Sequence, residues 1–202
     1  MARTVNRVTP EMVAYCFDSL VYHLEGKALK PPTFINSTFP LFVTWKKEKG
    51  GNEPELRGCI GTFKSIPLIE GLNKFSLTSA LKDDRFSPIS AKELPSLHCA
   101  VSLLVDFEDA KDVWDWEIGT HGIWIEFSDQ GYTRNSTYLP EVAEEQGWTQ
   151  EKALYSLIKK AGYYGKVDDN FLAKVKLTRY QSSKLTLTYK EYKNFIEQNQ
   201  QE

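Results

Sequence analysis

Leu56-Arg57-Gly58-Cys59-Ile60-Gly61 sets a cation, a thiol and two glycines within six residues, and the chemistry this combination suits is nucleophilic or redox reaction at sulfur. The thiolate is the reactive form of cysteine, and a neighbouring positive charge favours it. On a regular strand alternate side chains share a face about 6.5–7 Å apart, so Arg57 and Cys59 are expected to point the same way. A bulge at Gly58 would break that parity. Glycine inside a strand gives up packing and backbone entropy, about 0.5–1 kcal/mol each by analogy with helices, and marks a bulge or a close approach. Gly58 and Gly61 are therefore expected to be small because backbone or another subdomain packs against them.

Other residues are candidates for supporting roles. Asp84 beside Arg85, in the polar turn Lys82-Asp83-Asp84-Arg85-Phe86, either orients a ligand or forms an ion pair that braces a helix end. His121 stands between a threonine and a glycine at a strand start and is the histidine expected to be accessible. It would deprotonate Cys59 if the fold joined them, and is otherwise a hydrogen-bonded surface group. Lys160 follows Lys159 in the last turn of a helix, where cations interact favourably with the dipole; a catalytic lysine is the alternative. Cys16 falls on an apolar helical stripe and reads as a buried small hydrophobe. His98 and Cys99 are neighbours in a strand, face opposite sides and make a poor dyad. With no C-x-x-C pair and three scattered histidines, His23, His98 and His121, the sequence argues against a closed zinc site. Nothing in it names a cofactor.

The elements that must position these groups belong to an ordinary globular chain: 202 residues, 41% hydrophobic, 26% charged, formal net charge −2. That charge disfavours nucleic acid and acidic lipid as general partners. No segment approaches the roughly 18 apolar residues of a spanning helix, and the N-terminus lacks a secretory h-region. Three cysteines fit reduced thiols in cytosol or nucleus rather than a secreted, stapled domain.

Thr9 is placed to cap a helix with Pro10 at its first position, followed by Val13, Cys16, Phe17, Leu20, Val21 and Leu24 at helical spacing and ended by Gly26. Phe39 to Trp45 reads as a strand, Lys46 to Glu55 as a solvated hairpin loop, and Leu56 onward as the partner strand. Ser65 and Pro67 are expected to open a second helix running to Leu81. Ala91 to Leu94 gives a helical turn, and His98 to Val105 a central strand. Trp114 and Trp116 are expected to cover a sheet. Ile123 to Phe127 and Tyr132 to Tyr138 flank a hairpin turn at Ser128 to Gly131. Pro140 opens a short helix, and Thr149 caps the next, which Gly162 ends. Val175 to Tyr180 and Leu185 to Tyr189 are two strand candidates around Gln181-Ser182-Ser183, and the tail from Lys190 is expected to be a helix that frays. Strands and helices do not alternate as in a doubly wound sheet, so the expected class is α+β, with mainly antiparallel sheets flanked by helices.

With these residues assembled, the chain resembles the AMMECR family, named for the Alport syndrome, intellectual disability, midface hypoplasia and elliptocytosis chromosomal region. Leu56 to Gly61 matches the family's Leu-Arg-Gly-Cys-Ile-Gly hallmark. Asp84-Arg85-Phe86, Val101-Ser102, Gly122, Leu139-Pro140 with Val142, Gly147-Trp148 and Lys160-Ala161-Gly162 follow in family order. The resemblance implies one AMMECR-type domain over residues 10–190, built of two subdomains with the hexapeptide near their junction, and a tail over 191–202. It also implies an intracellular protein, but supplies no reaction. Prokaryotic members sometimes occur alongside radical-SAM and Memo-type proteins. Ala100 and Glu141 depart from those members, which tend to carry glutamate and glutamine there; Cys99, His121 and Glu141 instead resemble the animal branch.

Candidates for catalysis are thus Cys59, Arg57 and His121, and for binding Arg57, Gly58, Gly61, Asp84, Arg85, Glu141 and Lys160. The favoured expectation is a binding or scaffold protein with a ligand-accessible cleft at Leu56–Gly61, a protein partner and room for a small-molecule ligand. A cysteine-dependent enzyme with Cys59 as nucleophile or redox thiol is the first alternative, and a nucleic-acid-associated factor the second.

Overall fold

Val13, Cys16, Phe17, Leu20 and Val21 recur at helical spacing. In the computed structural model, which describes residues 7–199, they form the buried side of α1 (Pro10–Glu25). Gly26 ends the helix with φ 66°, a conformation open to glycine without a Cβ penalty. Thr9 occupies the N-cap position but does not cap: its Oγ1 is buried without a hydrogen-bond partner among the described residues. Residues 1–6 and 200–202, which carry the basic lead and the end of the expected fraying tail, lie outside the described residues.

The chain divides into two compact units, one taking in residues up to Leu103 and from Ser183 on, the other Leu104–Ser182. In the first unit β1 (Thr38–Lys47) pairs antiparallel with β2 (Glu55–Pro67) and with the first part of β3 (Leu97–Asp109). Period-two alternation sends Leu41, Val43 and Trp45, all fully buried, to one face of β1. Trp45 Nε1 donates to the Ser76 carbonyl of α2 (Leu68–Leu81) at 3.0 Å. Phe17 of α1 meets Trp45 edge-on at 5.1 Å and stacks at 4.8 Å on Tyr192 of α6 (Tyr189–Asn199).

In the second unit β4 (Gly122–Asp129) and β5 (Tyr132–Tyr138) form a hairpin whose two loop residues, Gln130 and Gly131, have φ 50° and 83°. Positive φ at both positions is what a type I′ turn requires. β6 (Lys176–Thr188) pairs antiparallel with β4. Ile125 and, from α4 (Gln150–Lys160), Leu154, Leu157 and Ile158 are fully buried in this unit's core. Thr149 caps α4, accepting the Lys152 N–H at 3.2 Å. Two shorter helices, α3 (Pro140–Glu145) and α5 (Asp169–Leu172), complete the unit. The sheet order is β2-β1-β3-β6-β4-β5, so the class is α+β with antiparallel pairing.

Three elements differ from expectation. Ser65 does not open α2: β2 runs on through it to Pro67, because Phe39 and Thr38 extend the ladder to Ile66 and Pro67, and α2 begins directly after Pro67, its N-cap residue, where the Leu68 N–H donates to the Ser37 carbonyl at 2.9 Å. Gln181-Ser182-Ser183 does not divide two strands: with neither glycine nor proline to break it, β6 is continuous. Of the tryptophan pair, Trp116 is buried and Trp114 is 40% exposed. Among the described residues no helix is long and apolar enough to cross a membrane.

Candidate functional site: the Leu56–Gly61 strand

β2 is an edge strand. Its ladder with β1 slips where Trp45 faces Gly58 but Lys46 faces Leu56, leaving Arg57 as the extra residue of a bulge. The alternation that would place Arg57 beside Cys59 is lost there. The Arg57 guanidinium instead takes the Glu93 carboxylate (Nε–Oε1 3.0 Å, Nη2–Oε2 3.3 Å) and the Ser87 carbonyl (2.7 Å). Glu93 belongs to a 3-10 helix, Ala91–Ser96, and also receives Lys47 Nζ at 2.9 Å and the Ser90 N–H at 3.0 Å, the latter within a capping box. Burial raises the Glu93 pKa, but the hydrogen bonds from Arg57, Ser90 and Lys47 more than reverse this and leave it at about 2. Arg57 is therefore bound into a structural hub, with its side chain 12% exposed.

Gly58 turns toward α2, and a Cβ there would overlap the Ser79 backbone carbonyl; one on Gly61 would overlap the Leu41 carbonyl and the Phe42 ring. The close approach expected of both glycines is thus made by neighbouring elements of the same unit. Cys59, half-buried, stands across the ladder from Thr44, whose hydroxyl donates to Sγ at 3.1 Å. The Cys59 N–H donates to Asp83 Oδ2 at 2.9 Å, and Arg85 Nη2 donates to the Cys59 carbonyl at 3.2 Å. Asp83 and Arg85 are themselves a bidentate pair, with Nε–Oδ1 2.9 Å and Nη2–Oδ2 2.7 Å. The Arg85 hydrogen bonds hold the Asp83 carboxyl well below the usual carboxylate range, against the opposing effect of burial. Arg85 is thus paired with Asp83, while the expected Asp84 is exposed.

Beside the bulge lies a cleft of about 340 Å³ whose walls include Lys47, Leu56, Arg57, Phe86 and Glu93. Leu56 is 41% exposed there. The remaining candidates belong to the second unit. His121 Nδ1 accepts the Glu117 N–H at 3.1 Å. The three described hydrogen-bond partners of Cys59, Thr44, Asp83 and Arg85, are all in the first unit. Lys160 Nζ donates to the Thr137 carbonyl at 2.9 Å and lies 4.5 Å over the Tyr138 ring; burial lowers its pKa. Tyr180, fully buried, bonds Thr137 Oγ1 at 2.8 Å and the Tyr138 carbonyl at 3.0 Å. Burial first, and then the Glu141 charge, raise its pKa far above that of a free phenol. Among the described residues no group of three His, Cys, Asp or Glu side chains is placed to hold a metal ion.

Sequence reasoning missed Asp83, Glu93 and Thr44. The Ser90-x-x-Glu93 spacing is a capping-box signature that marks Glu93 as a structural residue. No comparable signal separates Asp83 from Asp84, since only the bend of the chain after α2 decides which carboxylate turns inward.

Comparison with known proteins agrees with this architecture. The family model described as AMMECR1 matches residues 13–185. An uncharacterised protein of Arabidopsis thaliana is 51% identical over 188 residues, 92% of this chain and 88% of the relative. One from Schizosaccharomyces pombe is 44% identical over 190 residues, 93% and 96% of the two chains. A crystal structure of an uncharacterised protein from Pyrococcus horikoshii superposes with a TM-score of 0.65 at 27% identity, covering 87% of this chain and 89% of that one. With the family model spanning most of the chain and plant and fungal relatives matching nearly end to end, this chain belongs to the AMMECR1 family.

Proposed function

We propose that this chain is an intracellular binding or scaffold protein that receives an extended segment of a protein partner at the cleft beside Leu56. The observation that carries this reading is that the polar groups of the hexapeptide are engaged in bracing the strand. Arg57 is held by Glu93 and Ser87, and the Cys59 amide and carbonyl by Asp83 and Arg85. What the strand still offers is the half-exposed Leu56 side chain, with Phe86 in the same cleft and a rim in which three cations, Lys47, Lys49 and Arg57, face two carboxylates, Glu55 and Glu93, that already pair with them. An apolar anchor rimmed by charge suits a short peptide with one apolar and one acidic side chain. The animal-branch assignment is part of the proposal and rests on Cys99, His121 and Glu141; the intracellular assignment rests on three free cysteines.

The test is selection from a displayed peptide library. The expected result is a consensus with an apolar anchor and an acidic neighbour, lost in Leu56→Glu and retained in Cys59→Ser. Retention in Leu56→Glu, or loss in Cys59→Ser with the fold intact, overturns the reading.

One observation favours the second reading, a cysteine-dependent enzyme: Cys59 is the cysteine that is not fully enclosed, and the hydroxyl of Thr44 points at its sulfur. Turnover of any substrate that is abolished by Cys59→Ser would establish it.

A further inference from the structure

Lys160, the last residue of α4, carries a cation with no acid to match it. Lys47, Lys49 and Lys166 each reach a carboxylate, whereas among the described residues Lys160 forms no ion pair. Its Nζ has two neutral partners instead, the Thr137 carbonyl at 2.9 Å and the Tyr138 ring, whose centroid lies 4.5 Å away. That ring is fixed from two sides: its hydroxyl bonds Ser156 Oγ at 3.0 Å, and Trp148 meets it edge-on at 5.7 Å. Every one of these residues belongs to the second unit.

The carbonyl and the ring hold the ammonium in one place but bring no negative charge, so they return only part of the hydration that the cation gives up. Burial is the cause that acts on Lys160, and it lowers the pKa. The residue as a whole is nevertheless exposed, which leaves its amine within reach of a reagent from solvent. A lysine placed in this way carries more free amine near neutral pH than a fully hydrated one, and the free amine is the nucleophile. The same ammonium covers a carbonyl of β5, an edge strand.

We propose that Lys160 is a modification site, an acyl acceptor that takes its acyl group from an activated donor of the thioester or acyl phosphate class. The amine lone pair attacks the donor's carbonyl carbon and a C–N bond forms. The C–S or C–O bond to the leaving group breaks, its electron pair departs with the thiolate or the phosphate, and the nitrogen releases one proton to solvent. The product is a neutral amide, which removes the charge from the bond to Thr137 and from the Tyr138 ring face. The site does not rest on the function proposed for the cleft at Leu56.

The experiment incubates the folded full chain near neutral pH with acetyl-CoA in one arm and acetyl phosphate in the other, and follows acetylation at every lysine by peptide mass mapping. The expected result is a rate at Lys160 several-fold above that at Lys159, its exposed neighbour, with at least one donor; the donor that reacts identifies the source of the acyl group. In urea, where the Tyr138 ring and the Thr137 carbonyl no longer surround the amine, the advantage is expected to vanish and the pH dependence of the Lys160 rate to move upward. Lys160→Arg, which keeps a cation for both partners, should lose the fast-labelled fraction while its melting stays near that of the parent. Acetylation of Lys160 no faster than of Lys159 with either donor overturns the proposal. So does an advantage that persists in the unfolded chain, since it would then come from local sequence and not from the site.

Discussion

Arg85 donates to the backbone carbonyl of Cys59, and with the Asp83 carboxylate on the Cys59 amide this residue of an edge strand is paired on its outer side as if another strand lay there. A strand edge presents unpaired N–H and C=O groups that template pairing with other chains, and proteins cover or blunt such edges. Here the cover is an ion pair between the buried Asp83 carboxylate and the half-exposed Arg85 guanidinium, formed where the chain turns after α2. The pair is preorganised by its own two hydrogen bonds, so little extra side-chain entropy is lost in holding the strand. The consequence for function is that Cys59 is fixed at its backbone while its side chain alone is left to interact.

Asp83 and Asp84 are expected to behave differently although they are adjacent. Asp83→Asn weakens the charge-assisted bonds to Arg85 and to the Cys59 N–H, and should cost about 1–3 kcal/mol in chemical denaturation. Asp84→Asn, at an exposed position, should stay within about 0.5 kcal/mol of the parent. Equal effects would mean that the Asp83 bonds contribute nothing beyond a surface pair.

Gly58→Ala is expected to destabilise by about 1–3 kcal/mol or more, because the added Cβ meets the backbone carbonyl of Ser79 rather than the end of a flexible side chain. Gly51→Ala is a useful contrast. Gly51 has open space around its Cβ position but φ 79°, so its cost is conformational strain alone. If Gly58→Ala melts like the parent, α2 does not pack on the strand as described.

Most of the fold is legible in the sequence because period decides it: the α1 stripe, the β1 alternation and the hairpin at Gln130-Gly131 follow from spacing and turn chemistry. β6 was harder to read because its polar middle resembles a loop until pairing partners are known. The same holds at the candidate site. Residue types identified Leu56–Gly61 as unusual, but the destination of Arg57 depended on a bulge at that residue and on a carboxylate 36 residues away. Neither is encoded in local spacing. Glu93 was within reach through its capping box; Asp83 and Thr44 were set by tertiary contact.

Glu93 should leave a signature in acid. Its folded pKa is lowered from 4.5 to about 2, so between these values the unfolded chain binds the proton first. The stabilisation it provides is complete above pH 4.5 and is lost as pH falls toward 2. Melting temperatures of the parent and of Glu93→Gln are therefore expected to differ most above that window and to converge below it. A difference that stays constant from neutral pH to acid would show that Glu93 acts through shape and not through charge.

The cysteines supply the last prediction. Cys16 and Cys99 are both fully buried, and burial, with Cys16 alongside, pushes the Cys99 thiol well up. Alkylation under native conditions is accordingly expected at Cys59 alone, and a fast rate there relative to the other two reports exposure rather than activation. The informative comparison is between arginine variants. The Arg57 guanidinium is directed to Glu93, whereas Arg85 bonds the Cys59 carbonyl as well as Asp83. Arg57→Gln should lower stability by leaving Glu93 and Lys47 poorly matched, yet leave the rate of Cys59 alkylation near that of the parent once both proteins are folded. Arg85→Gln should raise it, because losing the bonds to Asp83 and to the Cys59 carbonyl loosens the strand edge that holds the thiol half-buried. Peptide mass mapping of each labelled protein at neutral pH, run beside chemical denaturation, separates the two effects. Slowing in Arg57→Gln with no change in Arg85→Gln would reverse the assignment and return Arg57 to the role of the thiol's electrostatic partner.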